Sequence, residues 1–323
     1  MGEYYVGIDL GGTKIATILT DRAGRIIAED RRLTNVAAGG EQVYKNIGAG
    51  IRTVLAGVER AGIKGIGIAS PGPVNIRSGK IIAAPNLSWE NFAIKQRLEA
   101  EFQLPCALEN DANAAAIGEW LFGAGKNRQD LIYITVSTGV GGGIICNGQI
   151  LHGRDDAAGE IGHMTVANDG PHCNCGKYGC LEAVASGTAI GNEAKRLIVA
   201  GRNSSILLKA ENKLELINAK IVAEAALEND PLAMEIFTRA INYLGIGIAN
   251  LIQIFNPEMI IIGGGVSKIG PLLFEGIWPV ISANTFTHTI RELPIVPPAL
   301  GDNCGSLGAA ALAINCFGKG NDF

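Results

Sequence analysis

Three cysteines spaced C-x-C-x4-C, Cys173, Cys175 and Cys180, place three soft donors within eight residues, and Gly176 and Gly179 let the chain fold back between them. Three thiolates suit Zn2+ in a tetrahedral setting, and a fourth ligand closes such a site and makes it structural. The imidazole of His163, ten residues upstream, is the preferred fourth donor, with His152 and His172 as competitors. His163 ends Gly159-Glu160-Ile161-Gly162-His163, so a metal on one ring nitrogen would hold the ring beside the Glu160 carboxylate and leave the other nitrogen to donate a hydrogen bond. The plainer reading, inert reduced thiols, is hard to reconcile with three cysteines and two glycines in one short loop.

A second group of candidates lies in Glu109-Asn110-Asp111, between an expected strand at 105–108 and an expected helix at 112–122. An aspartate there is ordinarily a helix cap, and residue types alone favour that reading. The same junction is where α/β proteins present catalytic carboxylates, so both roles stay open. Two glycine loops repeat one plan. A strand ending at Asp9 runs into Leu10-Gly11-Gly12-Thr13-Lys14, and a strand ending at Ser137 runs into Thr138-Gly139-Val140-Gly141-Gly142-Gly143. Tyr5 falls opposite Tyr133, Asp9 opposite Ser137 and Gly11 opposite Gly139, which reads as an internal duplication. Glycines at such turns let backbone N–H groups approach a phosphate and allow positive φ, although each loop alone also reads as a tight hairpin. Neither matches G-x-x-x-x-G-K-[ST] or completes G-x-G-x-x-G. A third loop, 263–267, follows the apolar run 259–262, and Asn86 beside Trp89 is either a polar contact for a sugar or a turn with a packed indole.

These groups need a scaffold of alternating strands and helices. Strands are expected at 4–9, 15–20, 25–33, 63–69, 133–137, 144–146, 149–151, 259–262 and 294–298, with a hairpin at Asn147-Gly148. Helices are expected at 40–61, 112–122, 185–200, 220–227, 231–254 and 305–316, the last rich in small residues and suited to packing back on the first domain. Residues 204–216 are left undetermined. The alternation argues for an α/β protein, and the 323-residue length favours two domains.

Hydrophobic residues make up 47% and charged residues 18%, as in a compact globular chain. The net charge of −4 and pI of about 5.7 offer no basic patch for a phosphate backbone, which argues against nucleic-acid binding. The most apolar run, 241–255, is broken by Asn242, Asn250 and Gln253 and reads as a buried helix, so no membrane association is expected. No apolar leader precedes Tyr4, and seven cysteines without a secretion signal point to a reducing, cytoplasmic setting.

Taken together, Asp9-Leu10-Gly11-Gly12-Thr13-Lys14, Glu109-Asn110-Asp111-Ala112-Asn113-Ala114-Ala115, Gly159-Glu160-Ile161-Gly162-His163 and the Cys173/Cys175/Cys180/Glu182 cluster resemble the ROK family, and within it the bacterial glucokinases, over essentially the whole chain. The resemblance implies an α/β, actin-like (ribonuclease H-like) sugar-kinase fold, with two α/β domains and an interdomain cleft that closes to exclude water. It divides the chain into a small domain, 1–112 plus 305–323, and a large domain, 113–304, that carries the zinc loop. It implies ATP-dependent phosphorylation of glucose with Asp111 as general base. Asn86, Asn110, Asp111, Glu160, His163 and Glu182 would hold the sugar. Asp9, Gly11, Gly12, Thr13, Lys14, Thr138, Gly139 and Gly264 would hold the nucleotide, with Asp9 near Mg2+ and Gly264 near the adenosine. His163, Cys173, Cys175 and Cys180 would bind a structural Zn2+, and the protein would be a homodimer or a dimer of dimers. Rival readings are a kinase for N-acetylmannosamine, mannose, allose or fructose, a polyphosphate-using enzyme, and a non-catalytic sugar-binding regulator. The family's repressors carry a helix-turn-helix ahead of the first strand, and here nothing precedes Tyr4.

Overall fold

The structure, a computed structural model, describes residues 2–84, 87–286 and 292–318. Residue contacts divide the chain into two compact units, Met1–Gln129 with Gly143–Gly159 and Pro298–Phe323, and Asp130–Gly142 with Glu160–Pro297.

The first unit is built on a sheet of order β3-β2-β1-β4-β8, from β1 (Tyr4–Leu10), β2 (Lys14–Asp21), β3 (Ile26–Leu33), β4 (Ile63–Ser70) and β8 (Cys106–Asn110). Strands β1, β4 and β8 are parallel, while β2 and β3 return antiparallel. The central strands are buried on both faces. Val6, Ile8, Ile66 and Ile68 pack with Ile47 and Ile51 of α1 (Gly40–Val54) and with Leu98 of α2 (Ile94–Phe102). Complete burial of one such side chain contributes roughly 1.5–3 kcal/mol.

On the opposite face, glycines admit α10 (Cys304–Phe317) at backbone distance. A Cβ on Gly7 would lie 2.2 Å from the Ser306 carbonyl, and one on Gly67 would lie 1.8 Å from that of Ala309. Helix α3 (Asp111–Phe122) crosses α10 just as closely, since a Cβ on Gly308 would lie 2.2 Å from the Ala114 carbonyl. A small sheet, β5 (Val74–Asn75), β6 (Lys80–Ala84) and β7 (Trp89–Phe92), completes this unit.

A second five-stranded sheet has the order β11-β10-β9-β12-β13, from β9 (Leu131–Val136), β10 (Val140–Cys146), β11 (Gln149–Ile150), β12 (Met259–Gly263) and β13 (Ile295–Val296). Its order repeats that of the first sheet strand for strand, and β9, β12 and β13 are parallel as β1, β4 and β8 are. The division into units falls within β10, after Gly142. In the second unit, α4 (Leu181–Ala185), α5 (Gly187–Val199), α6 (Ser205–Lys209), α7 (Ala219–Leu227), α8 (Pro231–Phe255) and α9 (Pro271–Asn284) supply the helices. Among the described residues no helix is long and apolar enough to cross a membrane.

Several expectations need revision. The helix expected over 40–61 ends at Val54, and Gly57 follows at a φ of 77°. The helix expected over 185–200 is two, because Ser186 leaves the helical path and its hydroxyl accepts from the Ala189 amide to start α5. Residues 204–216 form α6 and a short 3-10 turn. The contacts also divide the chain differently from a boundary at 112/113 and 304/305, because the close crossing of α3 and α10 keeps 113–129 with the first unit.

Candidate active site and metal centre

Asp9, Ala69 and Glu109 stand side by side across β1, β4 and β8, at the carboxyl ends of three parallel strands. Open α/β sheets present their chemistry at that end. One residue beyond β8, Asp111 opens α3, so the aspartate is inside the first turn and Asn110 is the cap. The Asn110 Oδ1 accepts from the amides of Ala112 and Asn113 at 2.9 and 3.4 Å. The Asp111 carboxylate is left exposed, with one oxygen accepting from the Ala112 amide at 2.8 Å. The sequence-based cap assignment therefore moves by one residue.

Asp9 is half-buried and lies against the start of α10, where a Cβ on Gly305 would be 2.4 Å from its Oδ2. Burial, then the nearby charge of Asp111, pushes its pKa up to about 6, against an opposing pull from Arg31. Two carboxylates sharing one neighbourhood repel, and a divalent cation relieves that repulsion. After β1 the chain turns with the Gly11 amide donating to the Lys14 carbonyl at 2.9 Å. Buried Thr34 fixes this turn, its amide donating to the Thr13 carbonyl and its hydroxyl to the Gly11 carbonyl at 2.6 Å. Gly12, Thr13 and Lys14 remain exposed.

Glu109 is 1% exposed, and its carboxylate is met by hydrogen-bond donors. Its Oε1 accepts from the Asn110 amide at 2.9 Å and the Asn113 amide nitrogen at 3.0 Å, and its Oε2 lies 2.7 Å from His152 Nε2. The hydrogen bond to Glu109 raises the pKa of His152 against the cost of partial burial. From sequence His152 was only a competitor for the fourth metal ligand and Glu109 only a member of the Glu109-Asn110-Asp111 group, and nothing there paired the two, although a glutamate at the end of the buried run Cys106-Ala107-Leu108 breaks that run's apolar pattern.

In the second unit, the loop after β9 is held from behind. The amides of Gly187 and Thr188, at the start of α5, donate to the Ser137 and Thr138 carbonyls at 2.7 and 3.4 Å. Glu182 Oε2 accepts from the Val140 amide at 3.0 Å, and a Cβ on Gly139 would lie 2.4 Å from that oxygen. A cavity of about 860 Å³ opens beside the loop, lined by Thr138, Asn192, Asn218, Gly265, Val266 and Lys268 among others. Gly264 has a φ of 88° and packs on the Val136 carbonyl, so the exposed face of this turn belongs to Gly265. Gly11, Gly12, Gly139, Gly141 and Gly142 do not use positive φ; at Gly139 the need for glycine is the close approach of Glu182.

His163, Cys173, Cys175 and Cys180 converge, their ligand atoms all within 4.8 Å of one another. Gly176 and Gly179, at φ of 88° and 70°, turn the loop, and a Cβ on Gly179 would overlap the Ala167 carbonyl. A tetrahedron of Zn–S bonds of about 2.3 Å has edges of about 3.8 Å. The Cys175–Cys180 and Cys173–His163 separations are 3.6 and 3.8 Å, so donors and spacing fit Zn2+. The approach to Cys173 is through His163 Nδ1, and His163 Nε2 lies 3.9 Å from a Glu160 oxygen. His172 is not one of the four and pairs with Tyr178, while His152 is engaged by Glu109. Asn86 lies outside the described residues; Trp89 is packed, 5% exposed and stacked on Phe92.

The glucokinase of Halalkalibacterium halodurans is 39% identical to this chain over 326 residues, covering 99% of this chain and 98% of its own. The xylose repressor of Caldicellulosiruptor bescii is 35% identical over 315 residues, covering 96% of this chain and 78% of its own. Among solved structures, a ROK family glucokinase from Streptomyces griseus in complex with glucose and AMPPNP superimposes with a TM-score of 0.81 at 35% identity, over 96% of this chain and 98% of that one. The fold is therefore the α/β, actin-like fold of the sugar kinases. The ROK family pattern runs unbroken from residue 5 to 316, through both glycine loops, the Asp111 turn and the cysteine cluster, and the chain belongs to the ROK family.

Proposed function

We propose that this protein transfers the γ-phosphoryl group of ATP to glucose, forming glucose 6-phosphate, with Asp111 as general base. The observation that carries the reading is an exposed carboxylate at the mouth of a parallel sheet, on a turn fixed by two hydrogen-bonded neighbours, beside the Asp9 carboxylate. Its support is 39% identity to a glucokinase over nearly the whole of both chains. In the reaction Asp111 accepts the proton of the sugar hydroxyl as that oxygen bonds to the γ-phosphorus. The bond from phosphorus to the bridging oxygen breaks, and ADP leaves. Such a step asks a protein for positioning and charge neutralisation more than for covalent chemistry.

Asn86, Asn110, Glu160, His163 and Glu182 take the remaining sugar hydroxyls in this reading. A site built for those hydrogen bonds rejects analogues that lack them. The exposed amides at Gly12–Lys14 and the loop at Thr138–Gly139 take the phosphates, and the cavity beside Gly265 takes the nucleoside. Mg2+ near Asp9 would supply charge neutralisation to the phosphates. Zn2+ on His163, Cys173, Cys175 and Cys180 would be structural, holding His163 so that its Nε2 stays beside Glu160. The placement of the protein is cytoplasmic and its assembly a homodimer or a dimer of dimers, which sedimentation would measure.

A coupled assay with ATP and a panel of sugars tests the substrate. Glucose should give the highest kcat/KM; a higher value for N-acetylmannosamine, mannose, allose or fructose would transfer the assignment to that sugar. Polyphosphate in place of ATP tests the donor.

A further inference from the structure

We infer that Glu109 and His152 form a positioning pair that holds the Asp111 turn in its reactive pose and ties it to the segment running into Glu160. The inference deepens the proposed reaction and rests on Asp111 being its base.

Glu109 is a charged side chain with 1% exposure, and burial of that kind is costly without compensation. Its compensation is local. Oε1 receives one hydrogen bond from the Asn110 backbone and one from the Asn113 side chain, so it spans the first turn of α3 from outside. Asn110 spans the same turn from the cap, accepting from Ala112 and Asn113. Asp111 lies between these two braces. With both braces in place the path of the turn that carries Asp111 is fixed on either side.

His152 supplies the third donor, 2.7 Å from Oε2, and belongs to another part of the chain. The segment that carries it is itself closed and pinned. The Ala158 amide donates to the His152 carbonyl at 3.0 Å, and Asp156 Oδ2 accepts from the Ile76 amide at 2.9 Å. Gly153, Asp156 and Gly159 have φ of 71°, 57° and 88°, and these left-handed positions give the segment its tight path. Gly159 is followed directly by Glu160-Ile161-Gly162-His163. One buried carboxylate thus joins the turn of the base to the start of the motif that bears Glu160 and His163. A displacement of about 1 Å at a reacting group can cost on the order of 100-fold in rate, so a brace at this point controls turnover without touching substrate.

The test compares His152→Ala and His152→Gln in the full-length protein, alone and combined with Asp111→Asn. With glucose and ATP, His152→Ala should lower kcat roughly 10- to 100-fold while KM for ATP stays near wild type and the thermal midpoint falls, because buried Glu109 loses a donor. His152→Gln, whose amide can donate to Glu109, should recover most of the loss. In the Asp111→Asn background, His152→Ala should cost little further, because a brace acting through Asp111 has nothing left to orient. Unchanged kcat in His152→Ala, equal damage from Ala and Gln, or fully additive losses with Asp111→Asn would each overturn the pairing. A wild-type protein inactive on every sugar would instead overturn the kinase reading itself.

Discussion

Residue by residue, the first sheet's chemistry depends on what stands next to two aspartates. Gly305 has an ordinary backbone conformation, and alanine in a helix is favoured over glycine by about 0.5–1 kcal/mol. The position nevertheless excludes a methyl group, because a Cβ there would be 2.4 Å from the Asp9 carboxylate. Gly305→Ala should therefore leave the thermal midpoint near wild type or slightly lowered while reducing kcat about tenfold or more through displaced Asp9, a split that steady-state kinetics beside a melting curve would resolve. The convergence of the cysteines was legible in sequence because three thiols at such spacing are rare in any other context. Glu109 and His152 were not, since their partnership spans 43 positions and exists only once β8 and the segment after β11 are folded together.

At the scale of elements, capping and metal-ligand geometry decide what is rigid. Asp230 caps α8 by accepting from the Ala233 amide at 2.9 Å, and it also receives the Ser205 amide and the hydroxyls of Ser204 and Ser205. Burial pushes its pKa up, but these donors outweigh burial and hold it below the usual aspartate range. A depressed pKa stabilises the fold fully above the unfolded value of about 3.9, and that contribution is lost as pH falls through the lower folded value. Asp230→Ala should cost about 2 kcal/mol at neutral pH, read from denaturant melts, with a smaller cost in strong acid. The cluster of His163, Cys173, Cys175 and Cys180 makes a parallel forecast: about one zinc per chain by elemental analysis, lost together with thermal stability in Cys175→Ser. A metal-free preparation of full activity would remove Zn2+ from the account.

The strands β1, β4, β9 and β12 could be read as apolar runs because burial on both faces leaves no other composition. By contrast, β5, β6 and β7 are short and acquire their identity only from pairing, so none was expected from sequence and Trp89, which opens β7, read as part of a loop. Helix α9 has no counterpart among the helices expected from sequence; Pro271 stands at its start, where proline is well tolerated.

For the molecule as a whole, the repeated strand order of the two sheets gives the duplication seen in Tyr5/Tyr133 and Asp9/Ser137 a physical form. Each copy ends a parallel strand in a glycine loop, but the surroundings differ. The first copy gathers Asp9, Glu109 and Asp111; the second is backed by α5 and by Glu182, beside a cavity of about 860 Å³. Duplication of a scaffold with divergence at the strand ends lets one fold present two different sets of side chains, which the proposed reaction uses as base and nucleotide platform. The return of α10 to the first sheet was expected from sequence; what sequence did not give was that 113–129 stays with the first unit, since that rests on the crossing of α3 and α10, between Gly118 and Gly308. Substitution of Asp111 bears most directly on the central claim. Turnover of ATP and glucose by Asp111→Asn should fall at least roughly 100-fold, with glucose still bound within about threefold of wild type by calorimetry and the fold unchanged. Near-normal turnover by that variant would contradict the account.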